Sequence, residues 1–310
     1  MIRLSAVTPT RIHHALLQSL SVVVLAQMLG CTPGSTRPDA GVVSLDARPN
    51  GVAVSPGDGA VYLTDDATSS VLKASDGRTF STFAAIPQVA GQGISLSQLV
   101  FDDEQNLLVE RFGFGSASAV FSVGGPDRVA TLAGPDPKRR RLGIAALGSR
   151  QALSTWFVKA AGEEATGGVS LLTYDAATGR ATERDVITSM GKPVGVVVSG
   201  DTVFVSDQMR NVIVRVPLAQ LLGASHPITA PDIFARIENP DLMTAGGGAL
   251  YTRCENGSVC RIASDGAVSE IAQGFHDARG VALDMSRHRL YVIDRAKAGG
   301  TSYLRVLPTR

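Results

Sequence analysis

Asn50, Gln98, Leu142, Val194, Asp241 and Arg279 each stand immediately before six apolar runs, which begin at residues 51, 99, 143, 195, 242 and 280. Residues this far apart act together only if each run is the same element of a repeated unit, so that the six positions converge. Asn50, Gln98 and Asp241 carry oxygen atoms of the kind a hard divalent cation requires in number and at short range. Leu142 and Val194 carry none, so the set reads as a ligand-binding surface, to which Arg279 adds a cation, and no metal ligand is assigned.

Nucleophilic chemistry has little to build on. The chain has no G-x-S-x-G elbow, and beyond the first thirty residues its histidines are His226, His276 and His288. Loop position places His226 and His288 on the far face and leaves His276 near the six positions, where His276-Asp277 could hold an acid/base group. A structural histidine beside a turn aspartate is the simpler reading, and no catalytic residue is assigned.

Asp65, Asp66, Asp207 and Asp294 close apolar runs, where carboxylates accept backbone N–H groups of the following turn. Phe112 and Phe114, in the Gly-rich segment RFGFGSAS at 111–118, are ligand-contact anchors or a cap folded onto the mouth. Segments 159–168 and 295–302 are further unusual loops on that face. PDPKRRR at 135–141 reads as a solvated loop, with attraction of an anion as its alternative.

The elements that must position these residues are strands. GVAVSPGDGAVYLTDD (51–66), GVVVSGDTVFVSD (195–207) and GVALDMSRHRLYVID (280–294) each join two apolar runs through a turn, with weaker copies from Leu99, Gly143 and Leu242. Period-two alternation bounded by Gly, Asp and Ser is a hairpin signature. Third runs follow in all six copies, and fourth runs stand at 79–83, 128–132, 233–236 and 268–272. Four antiparallel strands in a unit of about 40 to 50 residues make a β-propeller blade.

The sixth copy ends after three strands, while Val42 to Asp46 is a strand-like run with no blade of its own. If it supplies the missing outer strand, both chain ends close the ring and no blade edge is left open. The expectation is an all-β, six-bladed propeller over residues 41–310, with PLAQLLG from Pro217 as its one short helix.

Residues 41–310 resemble six-bladed propellers of the gluconolactonase/senescence-marker-protein type and the related NHL repeats, whose units run P-x-G-V-A-V-D-x-x-G-x-V-Y-V-T-D. The resemblance implies lactone hydrolysis with calcium or another divalent metal, held by carboxylate and Asn side chains at several inner-strand starts. This chain departs from that pattern at Leu142 and Val194, where the family has Asn, and at Arg48-Pro49-Asn50, where it has an acidic residue. The expectation is therefore a ligand-binding or protein-interaction module without cofactor. The alternative is a gluconolactonase-like hydrolase with rearranged ligands, and a third reading is a propeller that helps assemble outer-membrane proteins.

Residues 1–30 stand apart. Arg3 and Arg11 precede a 15-residue apolar stretch from Ala15 to Leu29, the length of a signal segment and short for a membrane span. Met28-Leu29-Gly30-Cys31 resembles the bacterial lipobox, which implies cleavage before Cys31, a diacylglyceryl group on Cys31 and a lipidated tether over residues 31–40. An ordinary cleaved signal with an incidental cysteine is the alternative. Thr32 in place of Asp matches the sorting rule of enteric bacteria for the outer membrane, so the expected address is the envelope, facing the periplasm, with the membrane as partner.

With Cys31 lipidated, Cys254 and Cys260 remain as a pair around Asn256-Gly257, a hairpin turn signal. A disulfide is expected there if the register aligns the thiols, in an oxidising compartment. The formal net charge of +1 indicates no nucleic-acid partner.

Overall fold

Alternating apolar residues on both faces of a strand bury it only between two neighbours, and a ring of sheets gives every strand two. The computed structural model describes residues 41–255 and 257–309. The expected signal segment, Cys31, the tether and Asn256 lie outside the described residues. Six four-stranded antiparallel sheets follow one another in chain order. Their inner strands are Pro49–Val54, Ile94–Phe101, Arg140–Gly148, Pro193–Ser199, Met243–Gly246 and Ala278–Asp284.

The ring closes as the unpaired run near residue 42 requires. Val42–Leu45 pairs antiparallel with Ser302–Pro308, with Val42 opposite Arg305 and Leu45 opposite Ser302, and so becomes the outer strand of the sixth blade. The short helix Leu218–Gly223 follows Pro217, as expected.

Two details differ from expectation. The outer strand of the first blade is Ser81–Ala85 rather than 79–83, because Asp76 accepts the N–H groups of Arg78 and Thr79 and holds them in a turn. The outer strand of the third blade, Arg180–Met190, was missing from the sequence reading. Its first half alternates exposed charged or polar residues with partly buried ones, so it carries no apolar run to detect.

Burial follows the blade interfaces. Each of six apolar clusters draws on two adjacent blades: Leu63 and Ile293 share one, Val109 and Tyr62 another, Val205 and Val169 a third. Among the described residues the apolar clusters lie between blades rather than on the ring axis, which the inner strands line as a channel, so packing energy is divided among the interfaces.

Near the axis the blades approach so closely that only glycine fits. A Cβ on Gly195 would lie 2.6 Å from Asp241 O, and one on Gly280 would lie 2.6 Å from Asn50 O. The freed space is used by a hydroxyl relay. Gly195 N–H donates to Ser206 Oγ at 2.7 Å, and Ser206 Oγ donates to Asp241 O of the next blade at 2.9 Å. Gly51, Thr64 and Ser97 repeat the arrangement between blades one and two, and Gly143, Thr155 and Val194 between blades three and four. Each hydroxyl satisfies backbone groups of two sheets at once.

In the second blade the relay position is held by Glu110, which is fully buried. Its Oε1 accepts from Ser154 Oγ, while Oε2 has no partner among the described residues. Burial pushes its carboxyl up to about 8, with Glu183 adding to the shift while Arg141 and Ser154 oppose it.

Cys254 and Cys260 are joined by a disulfide across the hairpin of the fifth blade, with Cα atoms 5.6 Å apart. Among the described residues no helix is long and apolar enough to cross a membrane.

Candidate functional site

The turn aspartates build the mouth of the ring. Asp65 accepts from Arg48 N, Ala67 N and Thr68 N; Asp207 accepts from Gly191 N, Lys192 N and Arg210 N; Asp294 accepts from His276 N and Asp277 N. Each carboxylate thus ties the loop entering an inner strand to the end of the second strand; Asp65 and Asp207 also take N–H groups of the following turn, as expected, whereas the backbone partners of Asp294 are His276 and Asp277 of the entering loop. Asp66 does the same between blades: it takes Leu96 N at 2.6 Å, Ser95 Oγ at 2.7 Å and Arg295 Nη2 at 2.7 Å.

Over this frame lies a cavity of about 810 Å³. Arg48, Arg140, Lys159, Lys192, Arg279 and Arg295 line it, with Asn50, Ser95 and Gln208 as neutral polar groups and Phe112, Leu142, Phe157 and Met209 as apolar ones. No Asp or Glu is among the described lining residues. Arg279 is paired with Asp241 and Asp277, and Arg295 with Asp66. Arg48, Arg140, Lys159 and Lys192 lie within ion-pair distance of no carboxylate among the described residues. Arg140 instead lies over the rings of Phe114 and Phe157, at 4.8 and 5.6 Å from their centroids.

Lys192 Nζ donates to Gln208 Oε1 at 2.6 Å and lies 5.7 Å from the Phe157 centroid. Its ammonium is held below the ordinary lysine range by burial, with Arg279, Arg253 and Lys159 reinforcing the shift and Asp241 opposing it.

The predicted site residues separate into four groups. Asn50, Phe112 and Arg279 line the main cavity; Asn50 donates through Nδ2 to Leu96 O at 3.0 Å, leaving its side-chain oxygen as the unclaimed end. His276 lines an adjoining cavity of about 540 Å³ with Arg279, Arg295 and Lys297. It stands 3.4 Å from Asp294 Oδ2 and stacks on Tyr303. Phe114 is half exposed at the rim, edge-on to Phe112 with centroids 5.2 Å apart.

Gln98 and Asp241 have other engagements. Gln98 Nε2 donates to Met243 O at 3.3 Å and its Oε1 accepts from Ile144 N at 3.1 Å, so the amide bridges blades across the axis. It lines a channel of about 300 Å³ walled by inner-strand residues of all six blades. Asp241 is buried with its Oδ2 at 3.0 Å from Arg253 Nη1 and 3.3 Å from Arg279 Nη1.

A hard cation would therefore not find its ligands here. Asp241 is spent on two guanidinium groups, the Gln98 oxygen on a backbone N–H, and Leu142 and Val194 offer no donor. No group of three His, Cys, Asp or Glu residues among those described could hold a metal ion.

PDPKRRR departs from the solvated loop expected of it. Arg141 is fully buried, with Nη1 2.9 Å from Ser154 Oγ and Nη2 2.7 Å from Glu183 Oε1, and Arg139 pairs with Glu183 and Asp185. Strand alternation sends Arg139 and Arg141 to one side and Arg140 to the other, into the cavity. Arg139 and Arg141 found carboxylates more than forty residues away, which no local reading of a basic run reveals.

Arg140 lies in the run whose alternative reading was attraction of an anion, while Arg48 and Lys192 have no counterpart among the expected site residues, although a signal for all three exists. Each stands two residues before a predicted mouth position, namely Asn50, Leu142 and Val194. Period two places such a pair on one face of the chain. The cationic character of the site is therefore written at the neighbouring in-phase position.

No protein-family description and no curated relative matches the chain. Solved structures do. A luciferin-regenerating enzyme superposes with a TM-score of 0.63 at 12% identity, over 86% of this chain and 94% of the other. A gluconolactonase from Xanthomonas campestris gives 0.61 at 16% identity, over 84% and 86%. The calcium-binding protein regucalcin from Agrobacterium tumefaciens gives 0.60 at 17% identity, over 84% and 91%. The chain is thus a six-bladed propeller similar in fold to gluconolactonase-type propellers, and identities this low carry the fold alone.

Proposed function

We propose that this propeller is a binding module of the bacterial envelope, tethered through Cys31 to the outer membrane, which captures a small organic anion at the mouth of the ring. One observation carries the reading: four cations, Arg48, Arg140, Lys159 and Lys192, share a cavity of about 810 Å³ with no acidic lining residue among those described. Unpaired cations in a concave, partly apolar site focus field and favour a carboxylate or phosphate. Phe112, Leu142 and Phe157 supply contact for an apolar portion of the same ligand.

The test is thermal stabilisation of the detergent-solubilised full chain by organic carboxylates and phosphates, set against neutral sugars, lactones and divalent metals. Selective stabilisation by anions that weakens with salt and falls about tenfold in Lys159→Glu agrees with the reading. Stabilisation by neutral ligands alone refutes it.

The likeness in fold to a gluconolactonase supports a second reading, a hydrolase with rearranged ligands. Lactone turnover by the folded chain that is lost in chelator and restored by calcium would establish it.

A further inference from the structure

We propose that Lys192 is a reactive amine that condenses reversibly with the carbonyl carbon of an organic anion held at the ring mouth. The inference rests on the anion-binding reading and adds a covalent step to it.

The backbone around Lys192 is immobilised on both sides. Its N–H donates to Asp207 Oδ1 at 3.0 Å, its C=O accepts from Gln208 N at 2.9 Å, and Pro193 follows as the first residue of an inner strand. The side chain reaches the wall shared by the two mouth cavities, where its Nζ meets the neutral amide oxygen of Gln208. That amide is itself oriented, since Gln208 Nε2 donates to Pro240 O at 3.3 Å. An amide oxygen carries no net charge and accepts from an ammonium or a free amine, so it holds Lys192 charged less strongly than a carboxylate partner would.

The surroundings favour the free amine further. Arg279 and Lys159 share its cavity, and the carboxylate of Asp241 is divided between Arg253 and Arg279. A desolvated lysine beside other cations is the arrangement that makes an amine nucleophilic near neutral pH. The same cations attract the anionic substituent of the ligand and bring its carbonyl to the amine.

The step balances without a co-reactant. The Lys192 nitrogen lone pair attacks the carbonyl carbon, the C–O π pair moves to oxygen, and a proton passes from nitrogen to that oxygen to give a carbinolamine. Loss of water, with the nitrogen supplying the electron pair and the remaining proton, leaves an imine. Addition of water reverses it, and nothing is oxidised or reduced.

The chain has five lysines, Lys73, Lys138, Lys159, Lys192 and Lys297. Lys73 is paired with Asp58, while Lys138, Lys159 and Lys297 are exposed. Pyridoxal 5′-phosphate, an anionic aromatic aldehyde, is the probe: the full chain is incubated with it at neutral pH, reduced with borohydride and mapped by peptide mass. The expected result is an adduct on Lys192 at least tenfold more abundant than on any other lysine, suppressed by the non-aldehyde pyridoxine 5′-phosphate and lost in Lys192→Arg. Equal labelling of the exposed lysines, or preference for Lys159, overturns the proposal; the wild-type map alone decides this even if the variant does not fold. Stabilisation by pyridoxine 5′-phosphate without a Lys192 adduct refutes the amine and leaves the anion site standing. Failure of both phosphates to bind refutes the anion site as well.

Discussion

Asp241 Oδ2 lies 3.3 Å from Arg279 Nη1, so two of the six inner-strand mouth positions, in adjacent blades, neutralise each other. Arg253 completes the arrangement at the same oxygen, with its Nη1 at 3.0 Å, and is itself buried. The carboxylate that resembles a metal ligand in the sequence is here a clamp between blades five and six.

Asp241→Ala is therefore expected to act on stability. Removing Asp241 leaves Arg253 and Arg279 to share the single carboxylate of Asp277, at a cost of up to roughly 3 kcal/mol. Denaturant unfolding measures it, and the loss should be the same in chelator and in calcium. A loss seen only in calcium would return Asp241 to a metal site.

Glu110 makes stability depend on pH. Its carboxyl is raised from the ordinary glutamate range to about 8 by burial, so the folded state holds a proton that the unfolded state has released. This contribution is fully present below the unfolded value and is lost as pH rises toward the folded one, at about 1.4 kcal/mol per pH unit within the window. Glu110→Gln should flatten the decline between pH ~5 and ~8 and melt above the wild type on the alkaline side. Parallel melting-temperature profiles for the two proteins would exclude Glu110 as the source.

Ring closure depends on four residues. Deleting 42–45 removes buried Leu45 and exposes the edge of Ser302–Pro308, for a loss of roughly 3 kcal/mol or more. The variant should melt lower and self-associate through the open edge, as read by calorimetry and size-exclusion chromatography. A monomer of unchanged melting temperature would show that the ring closes without this strand.

What the amino-acid sequence determined by itself is whatever a single blade can express. The hairpins, the turn aspartates Asp65, Asp207 and Asp294 and the closing strand at Val42 follow from period-two alternation and turn chemistry, which act over a few residues. The disulfide of Cys254 and Cys260 lies within one hairpin and was legible for the same reason. The strand Arg180–Met190 escaped because its burial is supplied by neighbours rather than by an apolar run of its own.

Only the tertiary structure decided which charges meet. Arg48, Arg140 and Lys192 belong to three blades, and nothing local says that they face one cavity while Arg141 turns inward to Glu183. Asp241 and Gln98 look available as ligands until the ring brings Arg253, Arg279 and Ile144 against them. Coulombic and hydrogen-bond partners are chosen by distance in space, and in a propeller that distance is set by closing the ring, a whole blade away along the chain.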